Sequence, residues 1–196
     1  MKEKFNEKWW YYLDYLFKEQ WMMETLSKIQ NDEKVRKLEV VPSSNNIFQR
    51  FKLINPDDVR VVFLTEEPIC SFVQSGFWRI LSCKIEHEIS NDLWLNLENN
   101  LDYMIPQGII GLSDSLTINN KLEMYNWHNF VIRVIHTLMN TGNKILYISD
   151  ENILTDYVKY HNPNTYKYEV LNYNEMNIKD INNFMKKEYN TKLNWI

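Results

Sequence analysis

Glu66 and Glu67 stand side by side between the apolar run Val61 to Leu64 and Pro68, in the stretch VVFLTEEPIC. Two adjacent carboxylates held against a proline can belong to a catalytic loop, where a carboxylate takes or directs a proton. They can also be the solvated polar end of a strand, which is the commoner fate of an acid pair. Other reactive groups sit at comparable places: Ser113 and Asp114 follow the apolar stretch GIIGL, and Asp150 follows KILYI. Cys70 and Cys83 are too few for a disulfide framework and lack the spacing and companions of a zinc site, so neither a metal nor a cofactor is implied.

The elements that must carry these groups can be read from periodicity. Arg60 to Leu64 is β-branched and aromatic and stops at an acidic Pro turn, the pattern of a parallel strand buried on both faces. Gly108 to Leu112 and Lys144 to Ile148 repeat the pattern, and Tyr168 to Tyr173 repeats it more weakly. Helical stretches are predicted between them, over Asp92 to Tyr103, Trp127 to Asn140 and Asn152 to Tyr160, the second ended near Gly142. Strands alternating with helices define an α/β fold with a parallel sheet, whose ligands sit beyond the carboxyl ends of the strands. Glu66, Glu67, Ser113, Asp114 and Asp150 are therefore expected on one rim. Upstream, Trp9, Leu13, Leu16, Phe17, Met23 and Leu26 recur at spacings near three and four, which predicts one or two amphipathic helices capping the core. The stretch VPSSNNIFQRF then reads as a loop followed by a short helix.

Composition narrows the function. A chain of 196 residues, 44% hydrophobic and 24% charged, fits one globular domain with a core of its own, expected over residues 1–196. The net charge of −4 rules out a global basic field drawing the protein to nucleic acid, so any such binding must come from a local patch. The opening MKEKFNEKWW is charged and aromatic where a signal peptide needs an apolar run, and no stretch of about 18 apolar residues follows. An intracellular protein, cytoplasmic or nuclear and without a membrane partner, is expected. Heavy use of Asn, Lys, Ile and Tyr with only 4 glycines points to an AT-rich coding genome, as in a virus or phage.

Several segments, in order, resemble the family-1 uracil-DNA glycosylases. IFQRFKLINPDDVRVVFLTEEPIC resembles that family's run into Gly-Gln-Asp-Pro-Tyr-His, and NLENNL its Asn-Ile-x-x-Glu-Leu helix. IPQGIIGLSDSLTI matches Gln-Gly-Val-Leu-Leu-Leu-Asn-x-x-Leu-Thr-Val, NWHNFVIRVI matches Gly-Trp-x-x-Phe-Thr-x-x-Ile, and the closing NNFMKKEYNTKLNWI resembles the last helix with its Ile-Asp-Trp end. The collinearity runs from about Phe48 to Trp195. It implies a three-layer α/β/α sandwich around a four-stranded parallel sheet, with residues 1–45 as a helical part packed on it. It also implies a pocket at the strand ends for a base flipped out of DNA.

Carried over position by position, the resemblance places Glu67 where the family's aspartate directs water at the sugar. The acid is kept, but one methylene too long. Glu66 replaces a glutamine, Ile69 replaces the tyrosine that excludes thymine, and Cys70 replaces a histidine. Ser113 falls at the asparagine that reads uracil, and a hydroxyl cannot supply an amide's paired donor and acceptor. Asp114 beside it can accept a hydrogen bond or hold a turn. Phe77 and Trp78 lie where the family stacks a phenylalanine on the base, and with Ile69 they are expected to close the pocket in part. The family's His-Pro-Ser-Pro element is replaced by the shorter NEMNIKD, in which Met176 or Ile178 is a candidate apolar wedge, although such residues more often serve packing. EHEIS, at Glu86 to Ser90, puts acids where the family's Pro-Ser loop grips the backbone. None of His87, His128, His136 and His161 falls on a catalytic position; His128 and His136 are expected as surface or satisfied helix residues.

The expectation is a uracil-DNA glycosylase fold with degenerate catalytic motifs, working as a non-catalytic or very weakly active module in replication or repair. Its partner would be DNA, single-stranded or uracil-containing, or a replication or repair protein. One alternative is an active divergent glycosylase using Glu67, and another is an inhibitor or DNA mimic acting on a protein.

Overall fold

In the computed structural model, residues 1–65, 104–113, 115–149, 157, 167–172, 175 and 177–193 are described. Helix α1 (Glu7–Leu13) starts at Asn6, whose side chain accepts a hydrogen bond from the Trp9 backbone N–H at 3.0 Å. A 3-10 stretch over Asp14–Lys18 and an extended Glu19 separate it from α2 (Gln20–Lys34). That break resets the helical phase. Trp9, Leu13 and Leu16 are buried as their spacing requires, but in α2 the inward residues are Met22 and Ile29, while Met23 is 51% exposed. Phe17 and Leu26 are only partly buried.

The short strand β1 (Val40–Val41) and helix α3 (Gln49–Leu53) lead to the central strand β2 (Val61–Thr65). β3 (Ile109–Ser113) and the two-residue β4 (Ile118–Asn119) follow, then α4 (His128–Met139), β5 (Ile145–Ser149), β6 (Tyr168–Asn172) and α5 (Ile178–Tyr189). The main sheet has the order β3-β2-β5-β6, and every pairing in it is parallel. β1 and β4 form a small antiparallel pair beside it. β2, β3 and β5 are buried along their whole length, as continuous apolar runs demand. β6 lies at the edge and is only half-buried, which is why its apolar pattern is the weakest of the four. At the other edge, the Arg50 guanidinium donates to the Gly111 carbonyl of β3.

Two cores flank the sheet and make the three layers. On one face Val62, Leu64, Ile110, Leu112 and Tyr147 pack with α4 and with the N-terminal Trp9, Leu13 and Met22. On the other, Val61, Phe63, Ile109, Leu146 and Ile148 meet Ile178, Ile181, Phe184 and Met185 of α5, one stripe at helical spacing. The predicted helices at 92–103 and 152–160 lie outside the described residues, apart from Tyr157, which is buried. Among the described residues no helix is long and apolar enough to cross a membrane.

The amino ends of the strands are closed by charge and by one glycine. Lys144 is paired with Glu169 and, at 3.0 Å, with Glu188, while Lys187 meets Glu169 at 3.3 Å and Glu188 at 3.2 Å, so β5, β6 and α5 share one ionic cluster. Gly108 has φ +92°, and a Cβ there would stand 2.8 Å from the Asp58 carbonyl oxygen and 3.0 Å from Arg60 Cγ. Gly108→Ala combines a left-handed backbone with a backbone clash and is expected to cost at least ~2 kcal/mol, read as a lowered urea midpoint at unchanged slope.

Candidate functional site

Because the main sheet is parallel throughout, its carboxyl ends form one edge, and each strand ends in a hydroxyl or an amide: Thr65, Ser113, Ser149 and Asn172. Thr65 is the register partner of Ser113, so the strand that leads into the acid pair runs directly beside the strand that carries Ser113. Thr65, Ser113 and Ser149 are all buried. Only Ser113 had been singled out from sequence. Thr65, Ser149 and Asn172 were readable by the same signal, the step from apolar to polar at a strand end.

The hydroxyl of Ser113, 2% exposed, donates to the Ser115 carbonyl at 2.7 Å. Its one hydrogen is committed to the turn that ends β3. What remains toward the rim is acceptor capacity alone. The chain beyond is tied back twice more: the Ser115 hydroxyl donates to the Tyr125 carbonyl at 3.1 Å, and Trp127 Nε1 donates to the Thr117 hydroxyl at 2.9 Å. α4 crosses back antiparallel to the strands, so it begins on the rim side. There the His128 backbone N–H donates to Asn126 Oδ1 at 3.0 Å and the His128 ring lies 5.2 Å from that of Tyr157. His128 and His136 are both half-buried.

A buried polar network supports this segment from behind. Asp32, 1% exposed on α2, accepts from the Tyr125 hydroxyl at 2.6 Å, from Arg36 Nη1 at 2.8 Å and from Asn119 Nδ2 at 3.5 Å. Burial alone pushes the Asp32 carboxyl up, but the hydrogen bonds from Tyr125, Arg36 and Asn119 outweigh it and hold the group below its ordinary value. Burial, then the bond to Asp32, pushes the Tyr125 hydroxyl well above the usual tyrosine range. Asn119 also donates to Glu123 at 2.9 Å and accepts from the Lys121 and Glu123 backbone N–H groups, and its bond together with Arg36 holds Glu123 low.

Of the site residues expected from sequence, Ser113 is placed at the rim as foreseen. Glu66, Glu67, Ile69, Cys70, Phe77, Trp78 and Asp114, with Asp150 and Met176, lie outside the described residues. The partial closure expected of Ile69, Phe77 and Trp78 falls there too. Ile178 is 5% exposed and packed in the core under α5, which makes it a packing residue rather than a wedge. Among the described residues no group of three His, Cys, Asp or Glu side chains is placed to hold a metal ion.

No family model matches the sequence. A curated uracil-DNA glycosylase from Azobacteroides pseudotrichonymphae is 25% identical over 164 residues, covering 76% of this chain and 74% of that protein. The crystal structure of the mimivirus uracil-DNA glycosylase superposes with a TM-score of 0.68 at 13% identity, over 97% of this chain and 87% of that one. The wild-type UNG of Nitratifractor salsuginis gives 0.55 at 11% identity, over 94% and 90%. The parallel four-stranded sheet with helices on both faces is thus the uracil-DNA glycosylase fold. Sequence similarity to a relative of that name over 76% of this chain accompanies the shared fold.

Proposed function

We propose that this protein is a uracil-DNA glycosylase-fold binding module of DNA replication or repair that has lost base excision or retains very little of it. The observation that carries the reading is the state of Ser113. At the position where the family's asparagine would face the base, a hydroxyl stands whose only hydrogen is already donated to Ser115. A site that reads a base through paired hydrogen bonds can lose ~10⁴ or more of discrimination when they are missing. Glu67 is the candidate catalytic carboxylate, and Glu66, Ile69, Cys70, Phe77, Trp78, Ser113 and Asp114 are the proposed pocket lining, within one structural unit over residues 1–196. The partner in this reading is DNA, single-stranded or uracil-containing, or a replication or repair protein inside the cell.

A gel shift with uracil-containing and uracil-free single-stranded oligonucleotides across a salt series tests it. Equal affinity for the two DNAs with a steep salt slope is the expected outcome, because phosphate contacts do not read bases. No shift at low salt would leave a protein as the partner. A clear preference for uracil-containing DNA would overturn the loss of base reading.

The second reading, an active divergent glycosylase, is favoured by the name of the Azobacteroides relative. In it Glu67 positions the water, and Ser113 and Asp114 with nearby backbone read the base. Release of free uracil that disappears in Glu67→Gln would establish it.

A further inference from the structure

Arg60 immediately precedes β2, at the amino end of the sheet and across the molecule from the rim. It is half-buried, yet among the described residues no carboxylate lies within ion-pair distance of it. Half-buried cations are ordinarily paired. Here Nη1 donates to the Asp57 carbonyl at 2.5 Å and the Val59 carbonyl at 3.0 Å, and the guanidinium carbon sits 4.4 Å from the centre of the Tyr189 ring. Nη2 and Nε make no hydrogen bond among the described residues, so three N–H donors of the guanidinium fork are left over.

These donors border a cleft of about 530 Å³, a size typical of small-molecule sites. Lys192, exposed and with no acid partner among the described residues, stands at its edge. The one acid in the lining, Asp58, already accepts from Asn55 Nδ2 at 3.0 Å. The lining also carries apolar side chains: Leu53, 46% exposed, with Pro106 and Leu193. On α5 the exposed Lys186 follows Met185 of the lining, while Lys187 is already paired with Glu169 and Glu188, in a protein whose net charge is −4. A ligand that uses both the cations and these apolar side chains carries a strong anion on a flat, partly apolar body.

We propose that this cleft binds a nucleotide, with the phosphate against Arg60 and Lys192 and the base on Leu53, Pro106 and Leu193. A guanidinium fork suits phosphate geometry, and a free phosphate without the base would forgo the apolar side chains. The site is separate from the rim and does not depend on how the rim is read.

The test is equilibrium dialysis of the full chain against AMP, adenosine and inorganic phosphate, each as a separate arm. Saturable AMP binding with Kd below ~1 mM is expected, with adenosine and phosphate at least ~10-fold weaker. Lys192→Glu, on an exposed side chain and so expected to keep the melting temperature, should weaken AMP at least ~10-fold, and Arg60→Gln at least as much. If Arg60→Gln fails to fold, Lys192→Glu decides. No saturable AMP binding up to ~5 mM, phosphate or adenosine binding as tightly as AMP, or an AMP affinity unchanged in Lys192→Glu would each overturn the site.

Discussion

Uracil release from a single-stranded oligonucleotide by this protein is expected to be at least ~10⁴-fold slower than by a competent uracil-DNA glycosylase, from two losses that act on different parts of the reaction. Glu67 carries its carboxylate more than ~1 Å beyond the reach of an aspartate, and a misplacement of that size costs ~10² in rate. The stretch NEMNIKD contains no histidine, and removing a preorganised donor from a developing anion costs a further ~10²–10³. Ser113 adds nothing back, since its hydrogen faces the Ser115 carbonyl. Glu67→Asp shortens the acid and should recover up to ~10² of rate if the acid is the only misplaced group on the water side. A wild-type rate within ~10-fold of a competent enzyme, a difference of only ~1.4 kcal/mol in barrier, would refute the degenerate reading.

Asp32→Ala is expected to lower stability by ~1–3 kcal/mol, because it leaves the Tyr125 hydroxyl buried without its acceptor, while Asn119 Nδ2 keeps Glu123 at 2.9 Å. Most of the loss comes from that one orphaned hydroxyl. Arg36 has 38% of its side chain exposed and keeps Glu123 as a partner, so it contributes little. The pH dependence has a definite sign. Asp32 titrates lower in the folded protein than the ~3.9 of an unfolded aspartate, so its contribution is fully present above that value and fades as pH falls through the folded one. The gap in urea midpoint between wild type and Asp32→Asn should therefore be wide at neutral pH and narrow toward pH ~3. An Asp32→Ala protein within ~0.5 kcal/mol of wild type would mean the network contributes nothing.

Much of this architecture was legible in the sequence because β2, β3 and β5 are unbroken apolar runs, and burial on both faces leaves them no other pattern. α4 announces itself by an inward stripe, whereas α5 was legible only through the resemblance of the closing stretch NNFMKKEYNTKLNWI to the family's last helix. The phase of α2 was not legible. Periodicity assumes a continuous helix, and the 3-10 turn with Glu19 moved the buried position from Met23 to Met22. Nor could the Asp32 network be foreseen, since Asn119 and Tyr125 lie 87 and 93 residues away along the chain. An aspartate set among the polar residues of QNDEK carries no local sign of its burial. At the rim, spacing alone located Ser113, but the direction of its hydroxyl is set by the turn to Ser115, which only coordinates reveal.

The ionic cluster of Lys144, Glu169, Lys187 and Glu188 makes the two ends of the sheet respond differently to the solvent. Its members are partly exposed, so added electrolyte screens them and relaxes the grip of α5 on β5 and β6. Among the described residues, the turn at the opposite end is tied by neutral hydroxyl, indole and carbonyl groups, with the Asp32–Arg36–Glu123 ion pairs behind it. Weakening of a nucleic-acid complex as electrolyte is raised therefore reports counterions returning to the nucleic acid only where the urea midpoint of the free protein holds over the same salt range.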